Sequence, residues 1–228
     1  MSFFEKMNSG FREPAKHFKT SLLDVQSIVR NDGEQRTYTL PTGEIYPSVT
    51  TVLKKLPSDG LDAWVKRVGK IEAERIKLTA ARRGTNLHAM VEAYLGGLPN
   101  ASQGHMPINV SMFRSLKPHL DNIEEIYGIE MPLYSHRLKA AGATDLFAKY
   151  SGKNCIIDIK NAINPKTEDF ILNYFLQTTA YSVMIEEMYN ISVDAIVILV
   201  AIESGETQVF MKDPRDYMDQ VFELFGKE

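Results

Sequence analysis

Two aspartates and a lysine come closest to a reactive arrangement in this chain: Gly142-Ala-Thr-Asp145, then Cys155-Ile-Ile-Asp158-Ile-Lys160. If 142–150 and 154–160 are strands joined over Ser151-Gly152, Tyr150 pairs with Lys153. Counting back five places then sets Asp145 opposite Asp158. Sliding the pairing by two residues sets Asp145 opposite Lys160 instead. In either register the three side chains leave one face, because strand side chains alternate with period two. Facing carboxylates have Cβ atoms roughly 4.5–5.5 Å apart and repel unless a cation or a proton lies between them. A hard divalent ion, Mg²⁺ or Mn²⁺, suits such a pair, taking two carboxylate oxygens, a backbone carbonyl and waters. Lys160 would stand beside a metal-bound water, to orient or deprotonate it or to stabilise charge on an attacked phosphate. The competing interpretation is a solvent-facing hairpin with ordinary charges. Asp-x-Lys alone recurs by chance; the facing Asp145 lifts the set above that.

Two further pairs have suggestive spacing. His88 and Glu92 are four apart on a helix whose apolar positions are Leu87, Met90, Val91, Tyr94 and Leu95. Their face borders that stripe, so both are expected to reach the interior or a cleft. Gln177 and Tyr181 lie on a stripe Phe170, Tyr174, Gln177, Tyr181, Met184, Met188, and a glutamine at an inward position must find a partner or line a site. Taken singly, the histidine reads as a structural residue and the glutamine as a satisfied core residue.

The elements that position these residues are read from periodicity. Residues 35–47 form a hairpin turning at Thr42-Gly43, and Ser48 caps a short helix through Leu53. Pro57-Ser58-Asp59-Gly60 breaks the chain before a basic helix with the apolar stripe Leu61, Trp64, Val65, Val68, Ile71. Trp64 belongs to its core side. Gly84 is read as the interruption and Thr85 as the cap of the next helix, closed by Gly96-Gly97. Phe113, Leu116, Leu120, Ile123 and Tyr127 step by three and four, so 109–127 is read as helical with Pro118 a kink or restart. Strands follow at 129–136, 142–150 and 154–160. A helix at 168–189 leads to an apolar strand at 193–203, a strand at 206–211 and a helix capped by Asp213-Pro214. The expected fold is α/β: a central mixed sheet flanked by helices, in the order αβββαβ. Residues 1–82 are taken as an N-terminal hairpin and basic helical extension, and 83–228 as the core domain with a final strand and helix.

Composition narrows the classes. The 228 residues are 44% hydrophobic and 24% charged, which excludes collagenous, disordered and coiled-coil chains. A single cysteine, Cys155, excludes a disulfide framework, a multi-cysteine zinc site and a four-cysteine iron–sulfur cluster. No apolar run is long enough to span a membrane. The N-terminus lacks an apolar leader, and Glu5 and Glu13 argue against a transit peptide, so a cytoplasmic place in a bacterial or phage-infected cell is expected. The net charge of −3 hides an asymmetry: nine bases against four acids over 54–83, ten acids against three bases over 186–228. Phosphate binding depends on local positive charge, so the first segment is a candidate nucleic-acid surface; a solvated helix face is the plainer alternative.

Arg83-Gly84-Thr85, His88, Glu92, Gly142-Ala-Thr-Asp145, Asp158-Ile-Lys160 and Gln177-x-x-x-Tyr181 together resemble the PD-(D/E)XK nuclease superfamily, in its RecB-type branch. Tyr46-Pro-Ser-Val-Thr50 and Glu130-Met-Pro-Leu-Tyr-Ser135 also look like the mitochondrial genome maintenance exonuclease group and its phage relatives. The resemblance covers about 83–203 and implies a restriction-endonuclease-like core. It implies Asp145, Asp158, the Ile159 carbonyl and His88 as ligands of Mg²⁺ or Mn²⁺. Glu92 would be a ligand or a carboxylate behind the ligands, Lys160 the catalytic lysine, and Gln177 and Tyr181 would position substrate or lysine. Ser48, Thr50, Lys66, Arg67, Lys70 and Arg83 are expected along the DNA. Thr144 stands before Asp145 where the branch often has proline. The implied activity is a metal-dependent deoxyribonuclease, an exonuclease at single-stranded DNA ends. A structure-selective or restriction-like endonuclease, and a silent nucleic-acid-binding module, are the alternatives. Unwinding would fall to a helicase or to other recombination or replication proteins.

Overall fold

The computed structural model describes residues 15–56 and 59–226, with backbone alone for 59–63. The phenylalanines at 3, 4 and 11, the break at Pro57-Ser58 and the Leu61 side chain lie outside what it describes. Strands β1 (Val29–Asp32), β2 (Arg36–Thr39) and β3 (Ile45–Pro47) form a small antiparallel sheet. The expected hairpin is its β2–β3 half. Gly43, at φ 90°, supplies the left-handed turn residue. Ser48 caps α1 (Val49–Leu53), its hydroxyl accepting from Thr51 N at 3.0 Å.

The basic region departs from the expectation. Helix α2 (Asp59–Val68) ends at Gly69, and α3 (Lys70–Leu95) then runs unbroken for 26 residues through Gly84 and Thr85. The break falls at Gly69 because that residue sits at φ 86°, outside the helical region. Thr85 does not cap; its hydroxyl donates back to Ala81 O within the helix. Gly84 serves proximity instead: a Cβ there would lie 3.0 Å from Asn161 Oδ1, so the missing side chain lets α3 press against the sheet. Ile71, placed on the apolar stripe, is 90% exposed and lies beyond the break at Gly69, which interrupts the helical period that the stripe assumed.

Helix α4 spans Pro107–Leu120 and passes through Pro118. It stops seven residues before the expected end, because 123–128 already belong to β4 (Ile123–Ser135). Two irregularities in the pairing of β4, between Ile123 and Glu125 and between Ile126 and Gly128, explain the misreading. Each inserted residue shifts the inward position by one, so a bulged strand imitates a helical step of three. Strands β5 (Ala140–Tyr150), β6 (Lys153–Ala162), β7 (Ala195–Ile202) and β8 (Thr207–Lys212) complete a five-stranded sheet in the order β4-β5-β6-β7-β8. Only β6 and β7 run parallel, so the sheet is mixed.

Every residue of β7 is buried, as an all-apolar central strand requires. A 3₁₀ turn (Glu168–Ile171) leads into α5 (Leu172–Tyr189), and a second (Pro214–Tyr217), begun by Asp213, leads into α6 (Met218–Phe225). The order from α4 to β7 is the expected αβββαβ of a restriction-endonuclease-like core. Two cores enclose the sheet. Helices α1, α5 and α6 pack on one face with Phe147, Ile156 and Ile198; α3 and α4 cover the other with Leu146, Ile157 and Leu199. Residues 19–23 bond to β4 at Ile126 and Tyr127, which shields that sheet edge. No helix among the described residues is long and apolar enough to cross a membrane.

Candidate metal centre and active site

The site is built where two strands part. Ser151 and Gly152, both at positive φ (50° and 76°), make the two-residue turn that sets the β5–β6 register. From Tyr150↔Lys153 the pairing runs to Leu146↔Ile157 and ends there. That is the first of the two registers, and it carries Asp145 one step on to face Asp158. Beyond this point β5 pairs only with β4 and β6 only with β7, so the sheet forks. Asp145 bridges the opening: its Oδ2 accepts from Ile159 N at 2.7 Å, replacing the lost ladder bond.

Around the fork, polar groups converge from five elements. Lys160 Nζ lies 2.5 Å from Asp158 Oδ2 and 5.1 Å from the centre of the Tyr174 ring on α5. His88, from α3, points Nε2 at the Ile159 carbonyl (2.8 Å) and Nδ1 at Glu130 Oε1 (3.4 Å) and Asp145 Oδ1 (3.7 Å). Glu130 sits on β4 between the pairs Ile129↔Leu146 and Met131↔Thr144, directly across from Asp145. Its φ of 46° is a left-handed conformation that a non-glycine residue rarely adopts. His88, Glu130 and Asp145 each offer a ligand atom within 4.8 Å of the others, a spacing that suits one metal ion.

The electrostatics couple the four groups closely. Asp158 is 1% exposed, and among the described residues the Lys160 ammonium is its one close polar partner. An ionised carboxylate so placed is costly without further compensation. Burial and the neighbouring Asp158 push the Asp145 carboxyl up to about 6. Burial would lower the His88 pKa, but Glu130, Asp145 and the Ile159 carbonyl outweigh it and raise it to about 9. Burial also opposes the Lys160 ammonium, yet Asp158 and Asp145 hold its pKa above the ordinary value. Two carboxylates, an imidazole, a backbone carbonyl and the nearby Glu130 form a donor set that fits a hard divalent cation, which would displace the His88 proton.

The other expected residues divide. Gln177 donates from Nε2 to the Tyr181 hydroxyl at 3.4 Å, and burial raises the Tyr181 pKa, so the phenol keeps its proton. Tyr181 fills the space over Gly142, where a Cβ would come within 2.8 Å of its ring. Gly142 therefore permits the close approach of α5 to β5. Glu92 is exposed rather than turned inward, and it is not in the group that could share an ion. Glu130 takes the place beside His88. Ser48 is buried, and its hydroxyl is shared with Thr50 and Thr51 in the cap of α1. Arg83 is ion-paired with Glu203. Lys66, Arg67 and Lys70 are exposed.

The chain is similar to a known exonuclease. It is 27% identical over 172 residues, 70% of its length, to the mouse (Mus musculus) protein called mitochondrial genome maintenance exonuclease 1. It spans about half the length of that curated relative. No family model matches the chain. Glu130 is the residue that spacing missed. It lies inside Glu130-Met-Pro-Leu-Tyr-Ser135, a stretch already singled out, but its role depends on β4–β5 pairing that no local period reveals. A cavity of about 780 Å³ beside Lys153, Asp194 and Arg215 lies elsewhere, at the turn end of the hairpin. Its charges are largely satisfied: Arg215 pairs with Asp213, and Asp194 accepts from Asn154 N.

Proposed function

We propose that this chain is a metal-dependent deoxyribonuclease that hydrolyses phosphodiester bonds, acting as an exonuclease on single-stranded DNA ends. The observation that carries the proposal is the cluster at the fork of the sheet, where the buried Asp158, paired with Lys160, stands beside Asp145 and the Ile159 carbonyl, with His88 and Glu130 in reach. The likeness to an exonuclease supports the same chemistry. Asp145, Asp158, the Ile159 carbonyl, His88 and Glu130 would hold Mg²⁺ or Mn²⁺. When bound, such an ion supplies a Lewis acid and an acidified water.

The chain's own groups have distinct tasks. Lys160 keeps its proton between two carboxylates, so it orients the nucleophile and stabilises charge on the attacked phosphate rather than removing a proton. Tyr174 lies against the ammonium and limits its movement. Gln177 and Tyr181 hold α5 at a fixed distance from β5, which fixes the lysine relative to the carboxylates. Lys66, Arg67 and Lys70 would hold phosphates of the bound strand. Arg83 joins them only by leaving Glu203, and Ser48 and Thr50 act from the cap rather than as free hydroxyls.

End-labelled linear and circular single-stranded DNA separate the readings. The expected result is release of label with Mg²⁺ or Mn²⁺, arrest by a chelator, intact circles, and loss of cleavage in Lys160→Ala. Cleaved circles would make the chain an endonuclease. Binding without any metal-dependent cleavage would leave a nucleic-acid-binding module.

A further inference from the structure

The end of the sheet that carries the fork has two unlike sides. On the α3 side stand His88 and a small cavity of about 220 Å³ lined by Arg75, Thr79, Arg83 and Ile163. On the α5 side stands Tyr174, against Lys160, and beyond it Phe170. Phe170 is 73% exposed, a large aromatic side chain that the fold does not bury. Ile171 and Phe175 both enter the core, and Ile171, at φ −120° and ψ 14°, separates the 3₁₀ turn from α5. Phe170 lies four residues before Tyr174 in the chain, on the turn that leads into the helix carrying Tyr174, Gln177 and Tyr181.

The neighbours of Phe170 say what it would meet. Glu168 and Asp169 precede it, Glu168 paired with Lys212 and Asp169 exposed. This wall carries no net positive charge to hold a phosphate, since Lys212 is taken up by Glu168. A single-stranded chain laid across the fork, with a phosphate at Lys160 and its backbone toward the bases of α3, turns its nucleobases toward the other wall. Every base presents an apolar π-face, and an exposed aromatic ring accepts it whatever the sequence.

We propose that Phe170 is the stacking platform for one unpaired nucleobase of the substrate strand, next to the phosphate held at Lys160. This rests on the nuclease reading above and deepens it: a base held flat on Phe170 is not paired, so the residue selects single-stranded over duplex ends.

The test is equilibrium binding of a fluorescent, phosphorothioate-linked single-stranded oligonucleotide, with Ca²⁺ replacing the catalytic ion. Phe170→Ala is expected to weaken binding by roughly 5- to 100-fold, the range of one base stack. Its salt dependence should stay as in wild type, because no phosphate contact is removed. Phe170→Trp is expected to restore binding. Leu98→Ala, another exposed apolar truncation, should have no effect. An abasic position walked along the oligonucleotide should weaken wild type at one place and leave Phe170→Ala indifferent there. If wild type binds and Phe170→Ala binds equally well, or the abasic walk is the same in both, the stacking role is wrong and the nuclease reading stands. If wild type binds no oligonucleotide at all, both fall together.

Discussion

The two halves of β6 show how one strand serves two ends. From Cys155 to Ile157 it is paired on both sides, and all three residues are fully buried among apolar neighbours. From Asp158 to Ala162 it loses β5, and the same depth of burial now holds a carboxylate whose one close polar partner among the described residues is a lysine. The first half contributes stability through packing and satisfied backbone. The second spends some of it on charges that only a ligand can balance. Both halves follow from one turn, since the Ser151-Gly152 register decides where the ladder stops and which aspartates meet.

If that contrast is right, substitutions on the two halves should separate stability from activity. The largest effect is expected from Asp158→Asn, which keeps the shape and removes the buried charge. Cleavage should fall by about 10³-fold or more, while the metal-free protein loses some thermal stability, because the buried Lys160 ammonium keeps only Asp145 as a counter-charge. Cleavage that falls no further than the folded fraction does would show that the carboxylate is only structural. On the paired half, Ile157→Ala should cost about 2–5 kcal/mol in denaturant unfolding, the usual range for an emptied core position. Its turnover per folded molecule should be unchanged.

Metal affinity sharpens the site itself. Glu130→Gln should weaken Mn²⁺ binding measured by calorimetry by about tenfold or more, and more than Glu92→Gln does, because Glu130 stands within ligand distance of His88 and Asp145 while Glu92 is exposed. Equal effects would return the ligand role to the helix.

The pH dependence follows from the signs of two shifts. Asp145 is raised from 3.8 to about 6, so its proton favours the metal-free fold at low pH, and that stability is lost as pH rises through 6. His88 is raised from 6.5 to about 9, so its contribution is complete below 6.5 and lost toward 9. Mn²⁺ competes with the same protons, so its affinity should rise over both windows. Thermal melts with and without Mn²⁺ from pH 4 to 9 should therefore diverge as pH rises, and Asp145→Asn, which no longer holds the ion, should show no divergence. A smaller effect is expected at the periphery. Changing Lys66, Arg67 and Lys70 together to alanine should weaken DNA binding and flatten its salt dependence, and unchanged affinity across salt would mark that face as only solvated.

What could be read from residues alone was what local spacing controls. The hairpin register was legible because a two-residue turn with a glycine leaves few alternatives, and Asp145, Asp158 and Lys160 came with it. The cap at Ser48 and the apolar strand β7 were legible for the same reason. Gly84 was misread because a glycine in a helix looks the same whether it ends the helix or lets a strand approach; only Asn161, distant in sequence, tells the two apart. The start of β4 was misread because its bulges copy a helical step. Glu130 was missed because its place beside Asp145 is set by pairing between β4 and β5, and Glu92 was favoured because an i, i+4 relation to His88 is visible in one dimension.

Calorimetric titration of Mn²⁺ at pH 8 into wild type and Asp145→Asn, each checked for native folding by circular dichroism, tests the fork as a metal centre most directly. Saturable binding to wild type that disappears in Asp145→Asn is the expected result. A folded wild type that takes up no Mn²⁺, or an Asp145→Asn variant that binds it unchanged, would contradict the assignment.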